Sequence, residues 1–178
     1  MTLDEFWDNI KKSRRRDPDA HADKLTDRLA KLPPDEILDF DYWWHFNLSE
    51  SYDWTLWGAA YIINGGCSDD GFQYFREWLL LQGREIFQTA VSNPDSLADV
   101  VDGDEVECEC YPATTAWFRA TGTTEDDAGY AALEAAQKKR HKKWPRFPDL
   151  GDGWDFDDER EMKRRYPRLT AMYHGDDD

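Results

Sequence analysis

Residues 61 to 75 read YIINGGCSDDGFQYF, and between the apolar pair Ile62-Ile63 and Phe72 stand Asn64, Gly65, Gly66, Cys67, Ser68, Asp69, Asp70 and Gly71. Two kinds of chemistry fit these residue types. Cys67 can act as a nucleophile with Asp69 or Asp70 as its base, helped by a helix N-terminus that lowers the thiol pKa and opposed by the aspartates that raise it. Alternatively, the paired carboxylates suit a cation, an amine or a hydrogen-bonding neutral ligand, with Trp54 and Trp57 as an aromatic wall and Arg76 about one and a half turns further on. An anion is disfavoured, because Asp69 and Asp70 would repel it and no Lys-Ser/Thr pair follows the glycines as in a phosphate-binding loop. A purely structural role also fits: Gly65 and Gly66 end one helix, Ser68 or Asp69 caps the next, and Asp70 falls in its first turn. The residues leave these readings open.

Other constellations carry less. Cys108 and Cys110 offer two thiolates, but no CxxC pair or HExxH helix accompanies them, so no metal site and no cofactor is expected. Asp152, Asp155, Asp157, Asp158 and Glu159 resemble a calcium loop only in charge; a solvated acidic loop capping the last helix is the simpler expectation. His21, His45, His141 and His174 are scattered, and a Cys/His arrangement would need one of them to approach Cys67 in space.

The elements that must position these groups read as helices. Thr2 and Glu5 form a capping box before the stripe Leu3, Phe6, Trp7 and Ile10. A second helix is expected from Asp19 as cap until Pro33, and a third from Pro34 through Ile37, Phe40, Trp44 and Leu48. A fourth starts at Asp53 and runs up to the glycines, and a fifth restores helical period at Phe72, Phe75, Trp78 and Leu79. A continuation reaches Asn93-Pro94, and Leu97, Val100 and Val101 suggest a further short helix. Residues 102 to 112 are expected to be irregular or the edge of a helix; helices are expected over Ala113 to Ala120 and from Asp126 or Asp127 through AALEAAQKKRHKK. Pro145, Pro148, Gly151 and Gly153 mark a loop, and one last helix spans Asp157 to about Met172 before a frayed DDD end.

The sequence therefore predicts a mainly α, single-domain multi-helix bundle with little or no strand. Its 178 residues suit one domain, and nine Trp, eight Tyr and nine Phe supply the apolar area of a core despite a mean hydropathy of -0.87. A net charge of -16, from 38 acids against 22 bases, opposes nucleic acid and anionic membrane surfaces as partners. The clusters Lys11 to Arg16 and Lys138 to Lys143 sit near helix ends, where basic residues complement the dipole. An odd number of cysteines, no apolar leader after MTLDEFWDNIKK and no membrane-length apolar run predict a cytoplasmic protein in a reduced compartment.

The stretch DWTLWGAAYIINGGCSDDGFQYFREWLLLQGREIFQTAVSNPDSLAD, with FW near the start and LPPDEI between them, resembles the bacterial domain-of-unknown-function family 4240. The resemblance runs from about residue 3 to 110, strongest in WGAAYIINGGCSDDGF and in the FREWL and QGRE segments. The tail WDFDDEREMKRRYPRL also recurs in such proteins, whereas 111 to 150 diverge from them. The resemblance implies a small, mostly helical, soluble bacterial domain without an assigned activity. From the residues themselves, the expected role is a binding or interaction module that uses Asn64 to Gly71, with Trp54, Trp57 and Arg76, for a small polar or cationic ligand or a partner segment. The alternative is a small hydrolase or transferase using Cys67 with Asp69 or Asp70.

Overall fold

The computed structural model describes residues 1–173 and Gly175, and the frayed end expected at Asp176 to Asp178 lies outside them, as does His174. Among the described residues there are ten α-helices, one 3-10 helix and no strand, so the protein is mainly α. The helices are α1 (Leu3–Ser13), α2 (Pro18–Leu29), α3 (Pro34–Glu50), α4 (Trp54–Ile63), α5 (Asp69–Leu81), α6 (Arg84–Ser92), α7 (Pro112–Thr121), α8 (Asp127–Arg140), α9 (Glu159–Arg165) and α10 (Pro167–Tyr173), with the 3-10 helix at Pro94–Asp99.

They fall into two compact units, one of Met1–Ser49 with Glu109–Arg146, the other of Glu50–Cys108 with the chain from Phe147 onward. In the first unit α2 packs against α1 and α7. The predicted stripes supply its core: Phe6, Ile10, Leu25, Leu29, Ile37 and Phe40 are all buried, and the Phe6 and Phe40 rings lie 4.7 Å apart. The capping box of α1 is present, with Thr2 N donating to Glu5 Oε2 and Glu5 N to Thr2 Oγ1. The cap of α2 is Asp17 rather than Asp19: its carboxylate accepts from Ala20 N at 2.8 Å. Pro18 explains the shift, because a proline fits the first helical position, where its missing N–H has no partner to lose.

The same unit holds a charged knot around the buried Asp39. Asp39 accepts two hydrogen bonds from Arg140, each 2.8 Å, and pairs with the Met1 ammonium. Burial pushes the Asp39 carboxyl up, but these cations outweigh it and hold it down at about 2. His141 Nε2 lies 3.0 Å from Asp39 without the angle of a hydrogen bond, its ring stacked on Tyr42. The basic end of α8 thus has a specific acceptor besides the helix dipole.

In the second unit α4 packs against α5, α10 and the 3-10 helix. The single terminal helix expected from the sequence is two helices, interrupted at Tyr166. Pro167 is the cause, since proline disfavours helical backbone in the residue before it and donates no N–H. Asp158 caps α9, accepting from Arg160 N and Glu161 N, as the acidic-loop reading anticipated. The segment 100–111 is irregular.

Candidate functional site

The turn at Asn64 to Gly71 joins α4 to α5 within the second unit. Its first half is a helix stop. Gly66 N donates to Tyr61 O at 2.9 Å and Gly65 N to Ile62 O at 3.4 Å, the paired bonds of a Schellman motif, with Gly65 at φ 60. Its second half is a helix start: Ser68 Oγ accepts from Gly71 N at 3.2 Å.

Two side chains tie the turn down. The Asn64 amide donates to Val106 O at 3.1 Å and accepts from Val106 N at 2.9 Å, which fastens the irregular 100–111 segment against the end of α4. Trp57 Nε1 donates to Cys67 O at 2.9 Å from within the core. Asn64, Gly65, Gly66, Ser68 and Trp57 are therefore occupied with holding the backbone. Asp69 and Asp70 are exposed, and neither makes a hydrogen bond or an ion pair among the described residues.

Beneath the turn lies a group that spacing alone did not reveal. Arg76 is 2% exposed, and its guanidinium carbon sits 4.7 Å from the Phe72 ring centre, 5.0 Å from Tyr52 and 5.1 Å from Phe147. Its Nε donates to Phe72 O at 3.2 Å. Burial lowers the Arg76 pKa to about 10, which still leaves it charged at neutral pH. Phe72 in turn stacks on Trp57 at 4.7 Å, and Trp57 on Trp54 at 5.1 Å. Trp54 is half-buried and donates through Nε1 to Leu150 O at 3.2 Å. Sequence reasoning placed Arg76 near the turn, but not Tyr52 or Phe147, because Phe147 is brought in from a distant loop and no local period marks it.

Cys67 is half-buried, and burial pushes its thiol up to about 11, the nearby Arg76 cation only partly offsetting this and Asp69 adding to it. Its Sγ is a weak donor to Ser68 O at 3.7 Å. The fold thus favours the protonated thiol, whereas nucleophilic attack needs the thiolate. Of the four histidines, His21, His45 and His141 belong to the other unit and His174 lies outside the described residues. Cys108 and Cys110 are buried. Among the described residues no group of three or more His, Cys, Asp or Glu side chains is placed to hold a metal ion, and no helix is long and apolar enough to cross a membrane.

The thiol leads to a direct prediction. Alkylation of Cys67 by iodoacetamide in the native protein should be several-fold slower at pH 8 than that of a free thiol and should climb with an apparent pKa near 11. Cys67→Ser serves as the blank. Since the folded state keeps this proton between 9.0 and about 11, where the unfolded chain has lost it, the group's contribution to stability falls as pH rises through that window. Rapid alkylation at pH 7 would instead show an activated thiolate.

The arrangement is that of a helical protein with a rigid helix-to-helix turn carrying free carboxylates over an aromatic-boxed arginine. Residues 1–119 match the family described as Protein of unknown function (DUF4240), about two thirds of the chain, and the chain belongs to that family. The match covers the whole stretch of the resemblance and extends it past residue 110 to take in most of α7. No curated protein matches the chain. No solved structure matches it either.

Proposed function

We propose that the protein is an interaction module whose α4–α5 turn receives a cationic group, either an amine ligand or a basic side chain of a partner segment, on Asp69 and Asp70. One observation carries this reading: the hydrogen bonds that fix the turn are made by other residues, while these two adjacent carboxylates stand exposed without a hydrogen-bond or ion-pair partner among the described residues. A turn fixed at both ends loses little freedom when it binds, which favours recognition by it. Trp54, Trp57 and Arg76 act beneath the turn as its support, and half-buried Trp54, unlike buried Trp57, has surface left to offer a ligand.

The test separates structure from recognition. Asn64→Ala and Ser68→Ala should each lower stability by roughly 1–2 kcal/mol, through lost backbone hydrogen bonds and a lost cap. Asp69→Asn and Asp70→Asn should each cost no more than about 1 kcal/mol, the worth of a charge at a helix N-terminus. Titrating the full chain with a tetralysine peptide at fixed ionic strength should raise Tm saturably. The double variant Asp69→Asn/Asp70→Asn should lose that shift, while the charge-matched Glu85→Gln/Glu125→Gln keeps it. No saturable shift, or equal loss in both doubles, would sink the reading. The alternative, a hydrolase or transferase using Cys67 with Asp69 or Asp70, requires a neutral-pH thiolate and is tested by the alkylation profile above.

A further inference from the structure

A second feature lies in the other unit. Lys12 and Ser13 of α1 and Lys24, Arg28, Lys31 and Leu32 of α2 and the turn after it line a concave cleft of about 260 Å³. In a chain with 38 acids against 22 bases, this cleft has four cations and no carboxylate in its lining. Lys12 is paired with Asp8 at its rim. Lys24, Lys31 and the terminal nitrogens of Arg28 make no hydrogen bond or ion pair among the described residues. Acids outnumber bases so heavily that uncompensated cations gathered in one hollow are the opposite of what charge balance alone would give.

The cleft is also organised. Arg28 Nε donates to Asn9 Oδ1 at 2.7 Å, and buried Asn9 is fixed by its own amide donating to Glu5 O at 2.8 Å. That hydrogen bond aims the guanidinium and leaves its outer edge available. Lys24 and Arg28 stand at i and i+4 on one side of α2, and Lys31, in the turn after the helix, lines the same cleft. The helix dipole accounts for Lys12 in the last turn of α1 and Arg28 in the last turn of α2, but not for Lys24 a turn earlier.

We propose that this cleft binds a compact multivalent anion of the phosphate class, with Lys24, Arg28 and Lys31 as its charge partners and Leu32 as an apolar wall. Arg28 offers the two-pronged geometry that phosphate oxygens accept, and the lysines act as point charges on either side. The volume is below the range of drug-sized sites and suits a phosphate or diphosphate group. The overall negative charge does not forbid this, because exposed charges more than ~8 Å away are screened at physiological salt.

The probe is inorganic pyrophosphate, titrated calorimetrically into the full chain at constant ionic strength, with inorganic phosphate and a short oligothymidylate as comparison arms. The expected result is saturable binding of pyrophosphate, weaker binding of phosphate, and at least about tenfold loss in Lys24→Met/Lys31→Met. Both lysines are exposed and unpaired among the described residues, so the variant should melt like the parent. The charge-matched Lys142→Met/Lys143→Met should bind pyrophosphate as the parent does. Absence of saturable binding would overturn the proposal, as would equal losses in the two variants. Tighter binding of the oligothymidylate than of pyrophosphate would overturn it in favour of a nucleic-acid strand.

Discussion

Replacing Arg76 with alanine should lower stability by about 3–5 kcal/mol, read as a fall in denaturation midpoint with an unchanged denaturant slope. The guanidinium is 2% exposed and fills the space between the Phe72, Tyr52 and Phe147 rings, so its removal leaves a hollow lined by three aromatic faces. It also removes the cation beside Glu77, a carboxylate that is 1% exposed and takes a hydrogen bond from Gln73 at 3.0 Å. An acid so deeply buried tolerates the loss of a neighbouring positive charge poorly.

Arg76→Met separates volume from charge, because it keeps much of the length and loses only the guanidinium. If packing dominates, Met should recover at least half of the loss seen with Ala. If Met is as stable as Arg, the charge is retained at no benefit to the fold, and a role at the turn above becomes the better explanation. Lysine is not a conservative replacement here, since an ammonium lacks the flat face that stacks on three rings. Arg76→Ala within about 1 kcal/mol of the parent would mean that the aromatic box is not a packed part of its unit.

The second large effect is expected at Gly58, on the face of α4 that meets the C-terminal segment. A Cβ there would lie 2.5 Å from Tyr166 Oη and 2.7 Å from the Trp154 ring, closer than real Cβ contacts come. Neither neighbour is free to swing away. Tyr166 is buried and donates to Thr55 O at 2.6 Å, and Trp154 is covered by the Arg165 guanidinium 4.5 Å from its ring. Glycine to alanine inside a helix ordinarily gains up to about 1 kcal/mol from propensity. Here the overlap should reverse the sign: Gly58→Ala is expected to cost about 2 kcal/mol net, and the branched Gly58→Val about 3 kcal/mol or more. Limited proteolysis should then open the chain near Pro148 to Gly153 before the rest of the unit. A stabilised Gly58→Ala would mean that the close approach of α4 and the C-terminal segment relaxes without cost.

Local physics made much of this legible in one dimension. The stripe Phe6, Trp7 and Ile10, the capping box at Thr2, the caps at Asp53 and Ser68 and the alanine-rich α8 are set by neighbours within four residues. The same holds for the glycine stop after α4, which needs only Gly65 and Gly66 and carbonyls of the preceding turn. Where a proline competed, as at Pro18 and Pro167, the boundary moved by a residue or two or the helix split. The cause was again local and readable in principle.

Tertiary structure decided the chemistry. Whether Cys67 is acidic depends on how much of it is buried, and whether Arg76 is a surface cation or a boxed one depends on Tyr52 and on Phe147, which lies far along the chain. The basic cleft needs α1 and α2 side by side, because Lys12 meets Lys24, Arg28 and Lys31 only through packing. Helix period, caps and stops are encoded within a turn or two of sequence, so residue order alone fixes them. Burial, and with it the charge state and availability of each candidate group, depends on partners of large sequence separation, and only the folded chain brings those together.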